Sequence, residues 1–216
     1  MAPPFSRPAV LAVKLILLGI VALGLAAVPL SRWIMQPAYA RLEPVAQPIS
    51  FSHKHHVGDV GIDCRYCHTS VEKSAFAGMP STSICLTCHS QLFVDSPALA
   101  ALHDSARSGR PIRWTRVHDL PDFVYFEHDI HVNKGVACVS CHGQVDQMPL
   151  TWRTVSLDMQ WCLGCHRSAP QHVRPLSQVL SMAPQRPLST DEVRQLVRLY
   201  RLRGGDALTN CSTCHR

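Results

Sequence analysis

All ten cysteines of this chain fall into five Cys-x-x-Cys-His motifs, with none left over. They are Cys64-Arg65-Tyr66-Cys67-His68, Cys85-Leu86-Thr87-Cys88-His89, Cys138-Val139-Ser140-Cys141-His142, Cys162-Leu163-Gly164-Cys165-His166 and Cys211-Ser212-Thr213-Cys214-His215. This is the spacing that attaches a c-type haem: two thiols become thioethers to the porphyrin, and the histidine that follows meets the iron. A disulfide framework gives no reason for a histidine after every second cysteine. Zinc asks for closed sets of four ligands, which five three-ligand sets do not supply. The chain is therefore expected to carry five covalently attached haem c groups, with His68, His89, His142, His166 and His215 as proximal ligands. The fold class that follows is a multihaem cytochrome c, mainly α and irregular with little β.

That conclusion changes how the composition is read. From Arg41 to Arg216 there are about 35 residues per attachment site, too few to build an ordinary apolar core around each. The porphyrins are expected to supply most of the buried apolar surface. Sixteen prolines and eleven glycines suit a loop-rich wrap around them. The formal charge of +6 is offset by two propionates on each haem. No basic stripe with interleaved aromatics appears, so a nucleic-acid partner is not expected.

Residues 9–30 are almost wholly apolar, with Lys14 as the single charge. Twenty-two helical residues span about 33 Å, enough for a bilayer core. Lys14 can snorkel at one end, and Arg32 and Trp33 suit the opposite interface. Ala38-Tyr39-Ala40 resembles a signal-peptide cleavage site, but the apolar run exceeds the ~7–15 residues of a signal core. The segment is expected to be an uncleaved transmembrane helix. Haem c is attached outside the cytoplasm, so the haem-bearing part is expected on the periplasmic side of the inner membrane, in a single-pass protein.

Phe51-Ser52-His53-Lys54-His55-His56-Val57 returns as Phe126-Glu127-His128-Asp129-Ile130-His131-Val132. Each F-x-H-x-x-H-V segment is followed by two haem motifs, which suggests a duplicated two-haem module. A low-spin haem iron takes a second axial ligand, and histidines three apart share one side of a helix. His53, His56, His128 and His131 are thus expected as the distal ligands of four haems. His55 has no counterpart and is expected to be a bystander. The fifth haem lacks such a pair. His118 is the favoured sixth ligand, with Met148 and Met79 next and His103, His172, Met159 and Met182 also available.

The rest of the chain is less informative. Residues 91–125 show no dominant pattern, and 167–188 are Pro-rich and irregular. Ser189-Thr190-Asp191-Glu192 reads as a capping box opening a basic helix that Gly204-Gly205 is expected to stop. The expected organisation is a short cytoplasmic N-terminus (1–8), an anchor helix (9–34), a linker (35–50), a first di-haem module (51–90), a connecting segment (91–125), a second di-haem module (126–168), and a terminal part with the basic helix and fifth haem (169–216).

Taken with the anchor, the stretches Phe51 to Val57, Gly61-Ile62-Asp63-Cys64, Ala77-Gly78-Met79-Pro80-Ser81-Thr82, Val117 to Val132 and Met159-Gln160-Trp161-Cys162 resemble the pentahaem, membrane-anchored cytochrome c subunit of bacterial alternative complex III. The resemblance covers most of residues 50–168 and the last motif. It implies a quinol-oxidising respiratory or photosynthetic complex with membrane quinol-binding subunits, an iron–sulfur subunit, and a monohaem cytochrome c or other periplasmic electron acceptor. In that setting the chain relays electrons and has no catalytic site of its own. The alternatives are a self-standing multihaem quinol dehydrogenase and a multihaem reductase. A reductase needs a haem with an open position, and here all five motifs end in histidine.

Overall fold

The computed structural model describes residues 6–35 and 43–215, with side chains described from 6 to 31 and from 43 to 215. The Ala38-Tyr39-Ala40 segment and the side chains of Arg32 and Trp33 lie outside these limits. The chain divides into two units, Met1–Tyr39 and Ala40–Arg216.

The first unit is one helix, α1, over Arg7–Met35, about 43 Å long at 1.5 Å per residue. Its stretch from Arg7 to Ser31 has a mean hydropathy of 2.6 and is uncovered by protein. By length and composition it can cross a membrane. Pro29 lies inside it and withholds one amide from the helical ladder. Ser31 Oγ donates to the Val28 carbonyl at 2.8 Å, so its hydroxyl is satisfied within the helix.

The second unit consists of short helices and turns. A π-helical turn spans Lys54–Asp59. Helices follow at Cys64–Cys67 (α2), Thr82–His89 (α3), Ala100–Ser108 (α4), His128–Asn133 (α5), Cys138–His142 (α6), Met159–Arg167 (α7), Thr190–Leu199 (α8), Gly205–Leu208 (α9) and Cys211–Cys214 (α10). No strand forms among the described residues. The closest approach to one is an isolated antiparallel bridge between Val136 and Val173.

Ten apolar side chains are buried among the described residues, and six of them form two small clusters. One gathers Val71, Val132 and Val179 with Ala77. The other gathers Val173, Leu196 and Tyr200 with Val136, Leu188 and Leu202. So little packed protein cannot by itself hold a chain of this length together, which is the situation expected when cofactors complete the core.

Helix α4 lies in the segment where no pattern stood out. Its inward residues are Leu102 and Ser105, too few to create a readable period. Alanines favour the helix, and Gly109 at φ 66° ends it. Helix α8 begins with the full capping box, Ser189 and Glu192 each bonding the other's backbone. It stops at Leu199 rather than at the Gly204-Gly205 pair. Arg201 takes a left-handed φ of 49° and Tyr200 is buried, its hydroxyl donating to the Arg174 carbonyl at 3.1 Å. A tertiary anchor therefore turns the chain, and Gly205 instead opens α9.

Two close backbone approaches need glycine. Gly135, at φ 80°, faces Arg174 and the Tyr200 ring, and its carbonyl accepts from Arg174 N at 2.9 Å. Gly58 leaves no room for a Cβ beside the Asp146 carbonyl. This is where the Lys54–Asp59 turn packs on the 3-10 turn at Val145–Gln147. Gly58→Ala is expected to lower stability by about 1–3 kcal/mol, the range for overpacking, read as a fall in the thermal midpoint. An unchanged midpoint would show that these two turns are not in fixed contact.

Candidate functional site

Each Cys-x-x-Cys-His motif forms one helical turn, and the local sequence explains why. Asp63 accepts from Arg65 N at 2.8 Å and opens α2. Asp158 accepts from Trp161 N at 2.7 Å and opens α7. Asn210 accepts from Ser212 N at 3.0 Å and opens α10. Such side-chain caps satisfy amides at a helix start. Residues three apart on a helix lie on one face, so both thiols of a motif address the same side. The histidine, one turn after the first cysteine, stands over it. His68 N and His215 N each donate to that first cysteine's carbonyl at 2.9 Å. All ten thiols are free.

Four of the motif histidines face a histidine from the F-x-H-x-x-H-V segments. The ring centres of His53 and His68 are 6.5 Å apart with planes at 11°. His56 and His89 are 6.2 Å apart at 62°. His128 and His142 are 6.3 Å apart at 15°, and His131 and His166 are 6.0 Å apart at 27°. A metal–imidazole bond of about 2.0 Å, with about 1.1 Å from ring nitrogen to ring centre, puts two rings on opposite sides of one metal about 6.2 Å apart. The observed separations match that value. They are too long for stacking in contact and too regular for chance neighbours.

The rings are held by their other nitrogen. His56 Nδ1 donates to Ser52 O at 2.9 Å, His68 Nδ1 to Gly78 O at 2.8 Å and His89 Nδ1 to Leu92 O at 3.1 Å. His128 Nδ1 donates to Ala75 O at 2.8 Å, His131 Nδ1 to Glu127 O at 2.7 Å and His166 Nδ1 to Leu208 O at 3.0 Å. A carbonyl can only accept, so the proton sits on Nδ1 and the lone pair on Nε2 is left for a metal. His53 Nδ1 instead meets Thr151 Oγ1 at 2.9 Å.

Phe51 stacks on His56 at 4.4 Å and meets His53 edge-on at 4.9 Å. Phe126 stacks on His131 at 4.5 Å and meets His128 edge-on at 4.8 Å. The phenylalanine that heads each segment is therefore a wedge setting both rings. Its recurrence before both histidine pairs is the sequence signal for that role.

Burial keeps these imidazoles neutral. It lowers His53 to about 4, with His68 and His56 adding to the effect. It lowers His142 to about 3, with His118, His128, His68 and His53 contributing in turn. His131 is lowered for the same main reason. A neutral imidazole is the ligating form.

The fifth motif is built differently. His215 Nδ1 donates to Phe123 O at 3.0 Å, and its ring neighbour is Phe123 at 5.9 Å. Tyr125 N donates to Cys214 O at 2.8 Å. Among the described residues no imidazole faces His215 at the separation seen in the four pairs. His118 lies against His142, with ring centres 4.3 Å apart. Its Nε2 is buried without a partner, and burial, then Arg153, then His128 lower it to about 4.

Met148 is buried and its carbonyl accepts from Lys54 N at 3.0 Å, beneath the first histidine pair. Met79 is exposed and follows the glycine that holds His68. Met159 is exposed and Met182 buried. His103 Nε2 is also buried without a partner, and His172 Nε2 lies 3.2 Å from Ser168 Oγ. His55 pairs weakly with Asp59 at 3.9 Å.

Haem c fits these residues. The paired imidazoles have the spacing of axial ligands, the thiols are unpaired, and apolar side chains beside the motifs stand uncovered. Tyr66, Phe76, Phe93 and Phe123 are all exposed, the kind of surface a flat macrocycle covers.

Comparison with known proteins agrees with this chemistry. A family model described as cytochrome c7 and related cytochrome c matches residues 124–216. A curated relative from Nitratidesulfovibrio vulgaris, named menaquinone reductase, multihaem cytochrome c subunit, is 41% identical over 97 residues. The match covers 44% of this chain, and the chain spans 45% of the relative's length. The fold is a multihaem cytochrome c domain, mostly helical and without strands among the described residues, in a chain that also has one N-terminal apolar helix.

Proposed function

We propose that this chain is a membrane-anchored pentahaem cytochrome c that relays electrons within a quinone-linked membrane complex. The observation that carries the proposal is the set of four imidazole pairs at 6.0–6.5 Å. When bound, haem c supplies one-electron exchange between ferric and ferrous iron. The chain does the remaining work. Cys64, Cys67, Cys85, Cys88, Cys138, Cys141, Cys162, Cys165, Cys211 and Cys214 hold the five groups covalently. His68 with His53, His89 with His56, His142 with His128, and His166 with His131 would hold the iron of four of them. His215 serves the fifth from the proximal side. A histidine pair at each of four groups would leave no open position for a substrate there, which favours relay over reduction of a small molecule at those four. The two histidine-pair segments, each serving two haems, are read as the products of duplication.

The anchor helix is read as single-pass, with the haem unit on the periplasmic side. The resemblance to alternative complex III supports quinol oxidation, through membrane quinol-binding subunits and an iron–sulfur subunit, toward a periplasmic cytochrome or similar acceptor. The relative's name supports a second direction, in which electrons flow through the cytochrome toward menaquinone. Isolation of the chain from membranes with its bound partners tests the proposal. Expected results are five haems c per chain, low-spin resting spectra at the four paired sites, and haem reduction when quinol is added to the assembly. Reduction of menaquinone by prereduced haem, without the quinol reaction, would select the second direction. Quinol oxidation by the chain alone, or rapid binding of carbon monoxide by most of its reduced haems, would overturn the relay reading.

A further inference from the structure

The order of the five attachment sites in space follows from contacts between motifs, and it is not their order in the chain. The first and second sites are neighbours. Their distal histidines sit at the start of one turn, and Tyr66 of α2 and Thr87 of α3 share a hydroxyl hydrogen bond at 2.8 Å.

The first and third sites are neighbours across the two halves. His128 of the third site bonds Ala75 O through both N and Nδ1, at 3.2 and 2.8 Å, and Asp129 N reaches Ser74 O at 3.3 Å. Ala75 lies in the loop that returns from α2. In the other direction, His53 of the first site bonds Thr151, nine residues after His142.

The third and fourth sites share helix α5, which provides His128 to one and His131 to the other. The fourth and fifth sites meet where His166 Nδ1 bonds Leu208 O at 3.0 Å, three residues before Cys211. The segment from His118 to Phe123 touches the third and fifth sites, but among the described residues no motif side chain of one meets the other.

We infer that the five sites stand in single file, in the order second, first, third, fourth, fifth, and that electrons enter and leave at the second and fifth. Exposure agrees independently: Cys88 and Cys211 are the exposed cysteines and the other eight are partly buried. They belong to the two end sites. The inference rests on the relay reading above. For each passage one partner centre at one end gives up an electron and is oxidised, and an oxidised redox protein at the other end accepts it. No bond or proton moves.

The test uses the full-length chain in detergent. A methionine ligand raises a haem's potential, so His56→Met or His128→Met marks one site to be reduced first. The electron it takes repels electrons most strongly from adjacent sites. In a stepwise titration followed by resonance spectra of the separate haems, His56→Met is expected to lower the potential of one other site and His128→Met of two. Two or more displaced sites in His56→Met, or one in His128→Met, would overturn the order. Unmodified protein gives a second measurement should the variants fail to fold. A water-soluble gadolinium chelate is expected to speed relaxation strongly at two haems and weakly at three. An even response across all five would overturn the assignment of ends. Failure of the relay reading itself would appear earlier, as a chain without five haem signals.

Discussion

A chain carrying Cys138→Ser and Cys141→Ser is expected to lose one haem and, with it, most of its folded population. The third site is the most deeply enclosed of the five. Burial pushes the Cys138 and Cys141 thiols up to about 11 and about 12 and His142 down to about 3. Ala137, next to the motif, is 1% exposed. Deleting a buried phenylalanine or tryptophan side chain costs about 3–5 kcal/mol through lost contacts and the cavity left behind. A porphyrin is several times larger, and a whole domain is stable by only about 5–15 kcal/mol. The matching change at the fifth site, Cys211→Ser with Cys214→Ser, is expected to remove one haem and leave a protease-resistant fold. The measurement is haem content per chain, with yield and limited proteolysis of both variants. Equal resistance in the two would contradict the view that the third haem is core and the fifth is peripheral.

Acid is expected to destabilise the histidine pairs from about pH 6.5 downward, where the imidazoles of the unfolded chain take up protons. His53 falls from an ordinary 6.5 to about 4 and His142 to about 3, in both cases chiefly through burial. The folded chain therefore holds these rings neutral at pH values where the unfolded chain would protonate them. Between the two values the unfolded state binds more protons, so stability rises with pH. The contribution is complete above about pH 6.5 and is lost as pH falls through about 4. For His53 the displacement is worth on the order of 3 kcal/mol. The nitrogen that acid protonates is also the one a haem iron would need from these rings, so loss of stability and loss of the low-spin spectrum are expected together. Thermal midpoints should be level from pH 7 to 8.5 and fall steadily below 6.5. A midpoint that stays level down to pH 4.5 would show that these rings are not buried neutral bases.

Much of this site can be read from residue order, because haem attachment is a local matter. Two thiols and an imidazole fit on one helical turn, and the motif contains all of them. The histidine pairs are legible for a related reason: His53 and His56 recur, with the same spacing, as His128 and His131. Which proximal ring each one faces is not legible, since His53 and His68 meet through a fold in the chain rather than a period in it. The same applies to Ala75, whose carbonyl holds His128 across 53 residues. Helix α4 was hidden because two inward residues make no pattern. The end of α8 was misplaced because Tyr200 is anchored by Arg174, a contact that glycine spacing does not report. His118 shows the limit most plainly. Its position just before the second histidine segment suggested a ligand for the last haem, whereas its ring lies against His142.

The acceptors that orient these imidazoles have a consequence for how the protein can change over time. Ser52, Gly78, Leu92, Ala75, Glu127, Leu208 and Phe123 each offer a main-chain oxygen. No amino-acid exchange can delete a carbonyl. Side chains at these positions can drift without releasing a ring, provided the backbone path is kept. Insertions, deletions and prolines are the changes that do harm. Thr151 is the exception, since its hydroxyl is a side chain that one codon change removes. The orientation of His53 is thus open to adjustment by ordinary mutation, while that of the seven rings held by main-chain oxygens is insulated from it.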